Sequence, residues 1–375
     1  MSILSARLNA NAVDFPAPHG SLRACVVIPV RNEQAVLPGV IAALAAQRDL
    51  QGEALDGHDF EVLLLLNNCT DATAAVAESL QQRFPQLALH IAQVVFAPYE
   101  AHVGRARQSL FDVAFQRFER LNRPAGLILS TDADSRPAPD WIAQNALEVA
   151  AGVDGVGGWI SLDRVERSEL PAGVRRLFSL DVMYRRALEE LCSLYVPQVH
   201  DPFPRHHQHF GASIAVTAAA YGRAGGMPLR ASSEDVALYQ AVLNSGGRFR
   251  HSFRVRVVTS ARMVGRAQRG LAEAIQAWNG LVGAASPVFV EPAHAAEERL
   301  ARLGLWCSHH PGGNPPPALT ITPEVTVAGR GQEIGAAIRA LRARSSALLL
   351  LPFRDRLEAV RRRLTAPANT GRVLA

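Results

Sequence analysis

Apolar positions along the chain fall into short unbroken runs that alternate with longer stretches of helical spacing. The run ACVVIPV (24–30) is continuously apolar and rich in β-branched residues, the pattern of a strand covered on both faces. Behind it, VLPGVIAALAAQ sets apolar residues at 36, 37, 40, 41, 44 and 45, a stripe of helical period. EVLLLL (61–66) predicts a second buried strand, and CTDATAAVAESLQQRF a second helix that Thr70 or Asp71 can cap. LALHIAQVV (87–95), GRARQSLFDVAFQRF and GLILSTDAD continue the series as strand, helix and strand. Strands alternating with helices of this length predict βαβ units: an α/β chain with a mostly parallel, twisted sheet flanked by helices.

The pattern then changes. Residues 160–200 mix charges along one or two helices, and HFGASIAV (209–216) is a strand. TAAAYGRAGG is a short helix closed by glycines, SSEDVALYQAVLNSGG another helix, and FRHSFRVRVVTS (249–260) alternates like a half-exposed strand. From about 265 the chain is mostly helical, interrupted by a Pro/Gly-rich loop at 308–328. The expected organisation is a leader (1–22), an α/β domain (23–285) carrying a helical insertion at 160–208, and a mostly helical C-terminal extension (286–375).

Composition adds little that redirects this picture. With 48% hydrophobic and 19% charged residues in 375, the chain has ample material for a buried core. All 39 basic residues are arginine; together with abundant alanine, this reads as coding bias. Arginine still suits anions, because its planar fork grips phosphate bidentately. A net charge of +5 is too small to point to nucleic acid. Four scattered cysteines without a CxxC pair read as free thiols of a reducing compartment. The N-terminal stretch has no signal-peptide pattern, which places the expectation in the cytoplasm. The segment DRLEAVRRRL is a basic amphipathic helix that suits peripheral contact with an anionic membrane face, or a solvated tail helix docked on the domain.

Chemistry concentrates where a parallel sheet binds ligands, beyond the carboxyl ends of its strands. Arg31, Asn32 and Glu33 follow the first strand, Asn67 and Asn68 the second, and Asp132 and Asp134 the fourth. In an extended segment, residues two apart point to one side. Two such carboxylates repel unless a cation lies between them and a ligand, and hard oxygen donors suit Mg²⁺ or Mn²⁺ completed by substrate phosphate. Taken alone, Asp-x-Asp before Ser and Pro also reads as a plain turn.

Six segments in order resolve that ambiguity: CVVIPVRNEQAVLPGVIAAL, LLLLNNCTDATAAVAESL, GRARQSLFDVAF, LILSTDADSRPAPDWI, GASIAVTAAAYGRAGGMP and SSEDVALYQAVLNSGG. Together they resemble the family 2 glycosyltransferases of GT-A fold, over about residues 23–280. The resemblance implies a hexosyltransferase-type enzyme. Its donor is a nucleotide-diphosphate sugar, usually a UDP-sugar, and its acceptor carries a hydroxyl. It also implies that Pro29, Arg31 and Glu33 begin the nucleotide pocket. Asn68 stands where an aspartate often faces the base, and Arg107 matches the arginine of the "ARN" segment, with Gln108 in place of its asparagine. Asp134 would ligate the metal, with Asp132 beside the ribose. Ser213 replaces the asparagine of a "GAN" segment.

Glu234 and Asp235 match the acceptor-side "ED" of that family, with Asp235 as base and Glu234 as its support. An inverting transfer needs such a base to take the acceptor proton. The plain alternative is a helix start capped by Ser232 or Ser233, with acids in the first turn facing the dipole. Arg262, Arg266 and Arg269 follow the last strand, as basic residues over a diphosphate or as solvated arginines. In RHHQH, His207 and His209 share a side as a metal pair or lie in a polar loop, and Trp159, after a GVGG turn, stacks on sugar or fills core. Two other classes remain. A nucleotidyltransferase would open with a Gly-rich basic loop where PVRNEQ stands. A degenerate binding protein would lose carboxylates that are kept here.

Overall fold

The computed structural model describes residues 8, 13–265, 270–284, 288–310, 315, 331–352, 355, 356 and 358. Contacts divide the chain into two compact units, residues 1–175 with 205–280, and residues 176–204 with 281–375.

The first unit is built on an eight-stranded sheet of order β3-β2-β1-β4-β7-β6-β8-β5. Its strands are β1 (Ala24–Val30), β2 (Phe60–Asn67), β3 (Ala88–Val94), β4 (Leu127–Ser130), β5 (Ser135–Pro137), β6 (Gly155–Leu162), β7 (Ile214–Thr217) and β8 (Phe249–Thr259). Only β7 and β5 run against the common direction. Between them lie α1 (Leu37–Ala45), α2 (Thr73–Arg83), α3 (Val103–Arg120), α4 (Trp141–Ala150), α5 (Arg164–Glu169), α6 (Ala172–Tyr195), α7 (Ala218–Arg223) and α8 (Glu234–Asn244).

The unbroken apolar runs have a direct cause. Successive side chains of a strand point to opposite faces, and both faces are covered. Val26, Ile28 and Val30 pack with Leu37, Ile41 and Leu44 of α1 on one side. Cys25 and Val27 pack with Leu110, Phe111 and Phe118 of α3 on the other. Each such side chain contributes about 1.5–3 kcal/mol when fully buried, so a charged residue is tolerated only where it is paired. Glu61 is that exception: the guanidinium of Arg117 grips it with two bonds of 2.5 Å.

Pro29 shows how the sheet opens toward a site. A proline cannot donate to a ladder and is excluded from the middle of a sheet, yet β1 lies between β2 and β4. The β1–β4 ladder ends at Val27 and Ser130. Val27 turns its carbonyl to the β4 side, where Thr131 N–H donates to it. Two residues on, the Pro29 nitrogen faces that same side, past the end of β4. The missing donor therefore leaves no partner unpaired.

The stretch GVGG is not the turn that its glycines predict; it lies within β6. The glycines are there because the strand is crowded. A Cβ on Gly157 would meet the Gln208 carbonyl oxygen at 2.3 Å, and one on Gly158 would meet Ser213 Oγ at 2.2 Å. The expected strand at 209–216 begins later, at Ile214, after a single 3-10 turn at Gly211–Ser213.

In the second unit, α6 packs with the C-terminal helices. Its Tyr184, Leu188 and Leu191 share a core with Ala296 and Leu300 of α10 (Ala293–His309) and with Ile338 and Leu341 of α11 (Ile334–Leu349). A two-stranded ribbon of β9 (Phe289–Val290) and β10 (Gln332–Glu333) belongs to this unit too, while the helix α9 (Leu271–Gly283) lies mostly in the first. Most of the Pro/Gly-rich loop and of the basic segment DRLEAVRRRL falls outside the described residues. Among the described residues, no helix is long and apolar enough to cross a membrane.

Candidate active site

The sequence-predicted residues gather in the first unit, around the carboxyl ends of β1, β2 and β4 and the start of α8. Asp132 and Asp134 stand on a tight turn between β4 and β5, closed by Ser135 N–H donating to the Asp132 carbonyl at 3.0 Å. The turn reading thus describes this segment, and the fourth strand stops at Ser130 rather than running through Asp134.

Each aspartate has an arginine. Arg107, on α3, is only 3% exposed. One of its terminal nitrogens pairs with Asp132 and the other with Glu234, the first residue of α8. Arg107 thus joins the turn after β4 to the acidic helix start. Gly211 makes room for it: a Cβ there would lie 2.4 Å from the guanidinium carbon. Arg262, after β8, donates to both carboxylate oxygens of Glu33 at 2.8 and 2.7 Å and sits 2.8 Å from Asp134 Oδ2. Arg266 and Arg269 fall outside the described residues.

Asp235 follows Glu234, and its Oδ2 accepts a 2.6 Å hydrogen bond from Gly211 N–H. Neither serine caps this helix with its side chain as the plain alternative expects: Ser233 occupies the N-cap in a left-handed conformation, φ 58°, without a side-chain bond to the helix. The acids of the first turn are thus placed by their own contacts.

Negative charge is in excess here. Asp134 is pushed up to about 6, first by burial and then by the charge of Asp132, against the pull of Arg262. Asp132 is also raised, by loss of water around it and by Asp235, against the pull of Arg107. Asp235 therefore lies close enough to Asp132 for their charges to interact.

Nucleotide-pocket candidates are held firmly. Asn32, at φ 54°, accepts from Thr70 N–H at 2.7 Å and donates to Thr70 Oγ1 at 3.1 Å, tying the end of β1 to that of β2. Arg31 is exposed and reaches the Ala101 carbonyl at 2.8 Å. The Asn68 amide is engaged with the Phe96 backbone, donating to its carbonyl at 3.0 Å and accepting from its N–H at 3.1 Å. An aspartate there would keep the acceptor and lose the donor. Asn68→Ala is expected to lower stability by about 1–3 kcal/mol, from two lost bonds and a left-handed φ that alanine resists. Urea denaturation checks this; an unchanged midpoint would leave Asn68 to ligand contact alone.

Other residues singled out by their motifs turn out to be packing. Gln108 donates to the Met227 carbonyl at 2.8 Å, and Ser213 accepts from the Trp141 indole N–H at 3.1 Å. Trp159 meets Phe253 and His206 with ring centres 5.0 and 5.4 Å apart. His209 stacks on Tyr239 at 3.9 Å and lies 3.3 Å from His251. Burial first, and then the neighbouring His251, hold the His209 imidazole well below its usual range. His251 sits 42 positions from His209, so no local motif links them. Among the described residues, no three His, Cys, Asp or Glu side chains form a metal cage.

Two contributors were not among the predicted site residues. Gly211 acts through its backbone N–H. Glu166, on α5, accepts from Ser260 Oγ and Ala261 N–H, both at 2.6 Å, and so braces the segment that delivers Arg262.

Residues 25–196 match the model of the family described as "Glycosyl transferase family 2". No curated protein matches the chain. Among solved structures, TarS 1-349 of S. aureus in complex with UDP-GlcNAc aligns at 15% identity over 76% of this chain and 65% of that chain, with a TM-score of 0.45. In another structure of that fragment the chain spans 60% of its length. The mannosyltransferase PcManGT of Pyrobaculum calidifontis, in complex with GDP-Man and Mn2+, aligns at 17% identity over 96% of this chain and 92% of that one, with a TM-score of 0.43. Glucosyl-3-phosphoglycerate synthase of Mycobacterium tuberculosis aligns at 17% identity over 74% and 81%, with a TM-score of 0.37.

Proposed function

We propose that the protein is a glycosyltransferase that moves a hexosyl group from a UDP-sugar to an acceptor hydroxyl, with inversion at the anomeric carbon. The family match of residues 25–196 supports the class. The observation that carries the mechanism is the convergence of Asp132, Asp134, Glu234 and Asp235, drawn together by Arg107 from segments over 100 positions apart.

The residues present fit a divalent cation. Two carboxylates raised by burial and neighbouring negative charge offer hard oxygen donors, and with no third protein ligand among the described residues the shell would be completed by water and phosphate, as Mg²⁺ and Mn²⁺ prefer. Asp134, with Asp132, would hold it. When bound, such an ion neutralises charge on the leaving diphosphate. Arg262 adds a second positive group there. Pro29, Arg31, Glu33 and Asn68 frame the nucleotide, with the open strand end at Pro29 leaving space for it. Asp235, fixed by Gly211 N–H, takes the acceptor proton. Glu234 is paired with Arg107 and supports that geometry.

A panel of nucleotide sugars, tested by thermal shift with Mn²⁺, checks the reading. One UDP-sugar at about a hundred times its dissociation constant adds about 2.7 kcal/mol, hence about 5–10 °C of melting temperature for a unit of this size. It should then be hydrolysed slowly without acceptor. A flat response across all nucleoside diphosphates would overturn the assignment.

A further inference from the structure

Glu33, Asp134 and Arg262 come from three distant segments, yet they close one charged triangle. Arg262 Nη2 lies 2.7 Å from Glu33 Oε1 and 2.8 Å from Asp134 Oδ2, while Nη1 lies 2.8 Å from Glu33 Oε2. The arrangement is built from behind. Glu33 N–H donates to Thr73 Oγ1 at 2.8 Å. Ser260 N–H donates to the Asp134 carbonyl at 3.2 Å, and Glu166 holds Ser260 and Ala261. Arg262 N–H in turn donates to Ser260 Oγ at 3.2 Å. The guanidinium is thus delivered to Asp134 by a braced backbone, from a side chain still 28% exposed.

A divalent cation on Asp134 and a guanidinium on the same oxygen are two positive charges at one acceptor, and they repel. We propose that Arg262 is the resident counter-ion of Asp134. A divalent cation displaces it from that carboxylate, and Glu33 retains it so that it turns onto a diphosphate bound beside the metal. The proposal rests on the reading of Asp134 as a metal ligand. Its consequence is positive coupling. The metal alone must expel a paired arginine, whereas metal and diphosphate together give that arginine a new anion. Each should raise the other's affinity, by about 5–150-fold in the usual range of such couplings.

Mn²⁺ binding to the full chain, measured from the electron paramagnetic resonance of free Mn²⁺, tests this first without nucleotide and then with UDP. Arg262→Gln is expected to bind Mn²⁺ alone about 10-fold more tightly than the parent chain, and UDP should then enhance Mn²⁺ binding far less. Arg262→Lys, which keeps the charge but not the fork, should fall between. Arg136→Gln is the control for charge alone: it removes the same charge two positions from Asp134, where Arg136 pairs with Asp163, and should change Mn²⁺ affinity by less than about 3-fold. Equal Mn²⁺ affinity in parent chain, Arg262→Gln and Arg262→Lys would overturn the proposal, as would an equal gain in Arg136→Gln. Failure of every form to bind Mn²⁺ would overturn it as well, while UDP-sugar hydrolysis without metal would leave the transferase reading standing.

Discussion

Asp235→Asn is expected to bind the donor as the parent chain does and to turn it over roughly 10²-fold more slowly, or worse, the range for loss of a general base. The variant is nearly isosteric, and its amide oxygen can still accept the Gly211 N–H that fixes Asp235 at 2.6 Å. What it loses is the ability to take a proton. If Asp235 only favoured the helix start, the same change would weaken a charge–dipole contact by about 0.3–1 kcal/mol and leave turnover nearly intact. Melting temperature, donor affinity and rate, measured on one variant, separate the outcomes. Full activity would move the base elsewhere, and Glu234 is a poor heir. It is 2% exposed and already ion-paired with Arg107.

Asp134→Ala is expected to abolish the dependence of donor binding on Mn²⁺ or Mg²⁺ and to weaken that binding by roughly 10²-fold or more, since a metal's grip on a diphosphate is worth several kcal/mol. Folding should survive, because Asp134 sits on a turn and its pKa is raised to about 6, first by burial and then by crowding with Asp132. Removing it relieves Asp132 and frees Arg262 from one of its two carboxylates. Calorimetry of UDP-sugar binding with and without EDTA reads both effects. Donor affinity that is unaffected by EDTA in the parent chain would remove the metal from the site altogether.

The Arg262 variants are less direct, since Arg262 and Glu33 hold one another. Their exchange of partners is a question of coupling, which the Mn²⁺ titration reads separately from rate.

The alternating sheet and helix order was legible because β1, β2 and β4 are covered on both faces, so their apolar runs are continuous and the helices between keep one stripe. Val26 and Val27 belong to opposite cores, and that is why no polar position interrupts them. The far half was less legible. β6 is glycine-rich, and glycine signals turns when read locally; only the approach of Gln208 and Ser213 across the strand explains it. The helix α6 likewise looked like part of the sheet domain by its place in the chain. Its apolar stripe is satisfied by Ala296, Leu300 and Leu341, over 100 positions away.

The site divides in the same way. The sequence by itself determined which carboxylates and arginines stand at strand ends, because polar residues that stop an apolar run are local features. It also carried a match of residues 25–196 to a glycosyl transferase family 2 model. Only the tertiary structure decided the partners. Arg107 reaches Glu234 across 127 positions and Arg262 reaches Glu33 across 229, and ion pairs of that span leave no periodic trace. Asn68 and Ser213 were placed by motif, but their hydrogen bonds to Phe96 and Trp141 arise from how neighbouring segments cross. A side chain's type is written in the chain, whereas the acceptor it meets depends on which strand folds beside it.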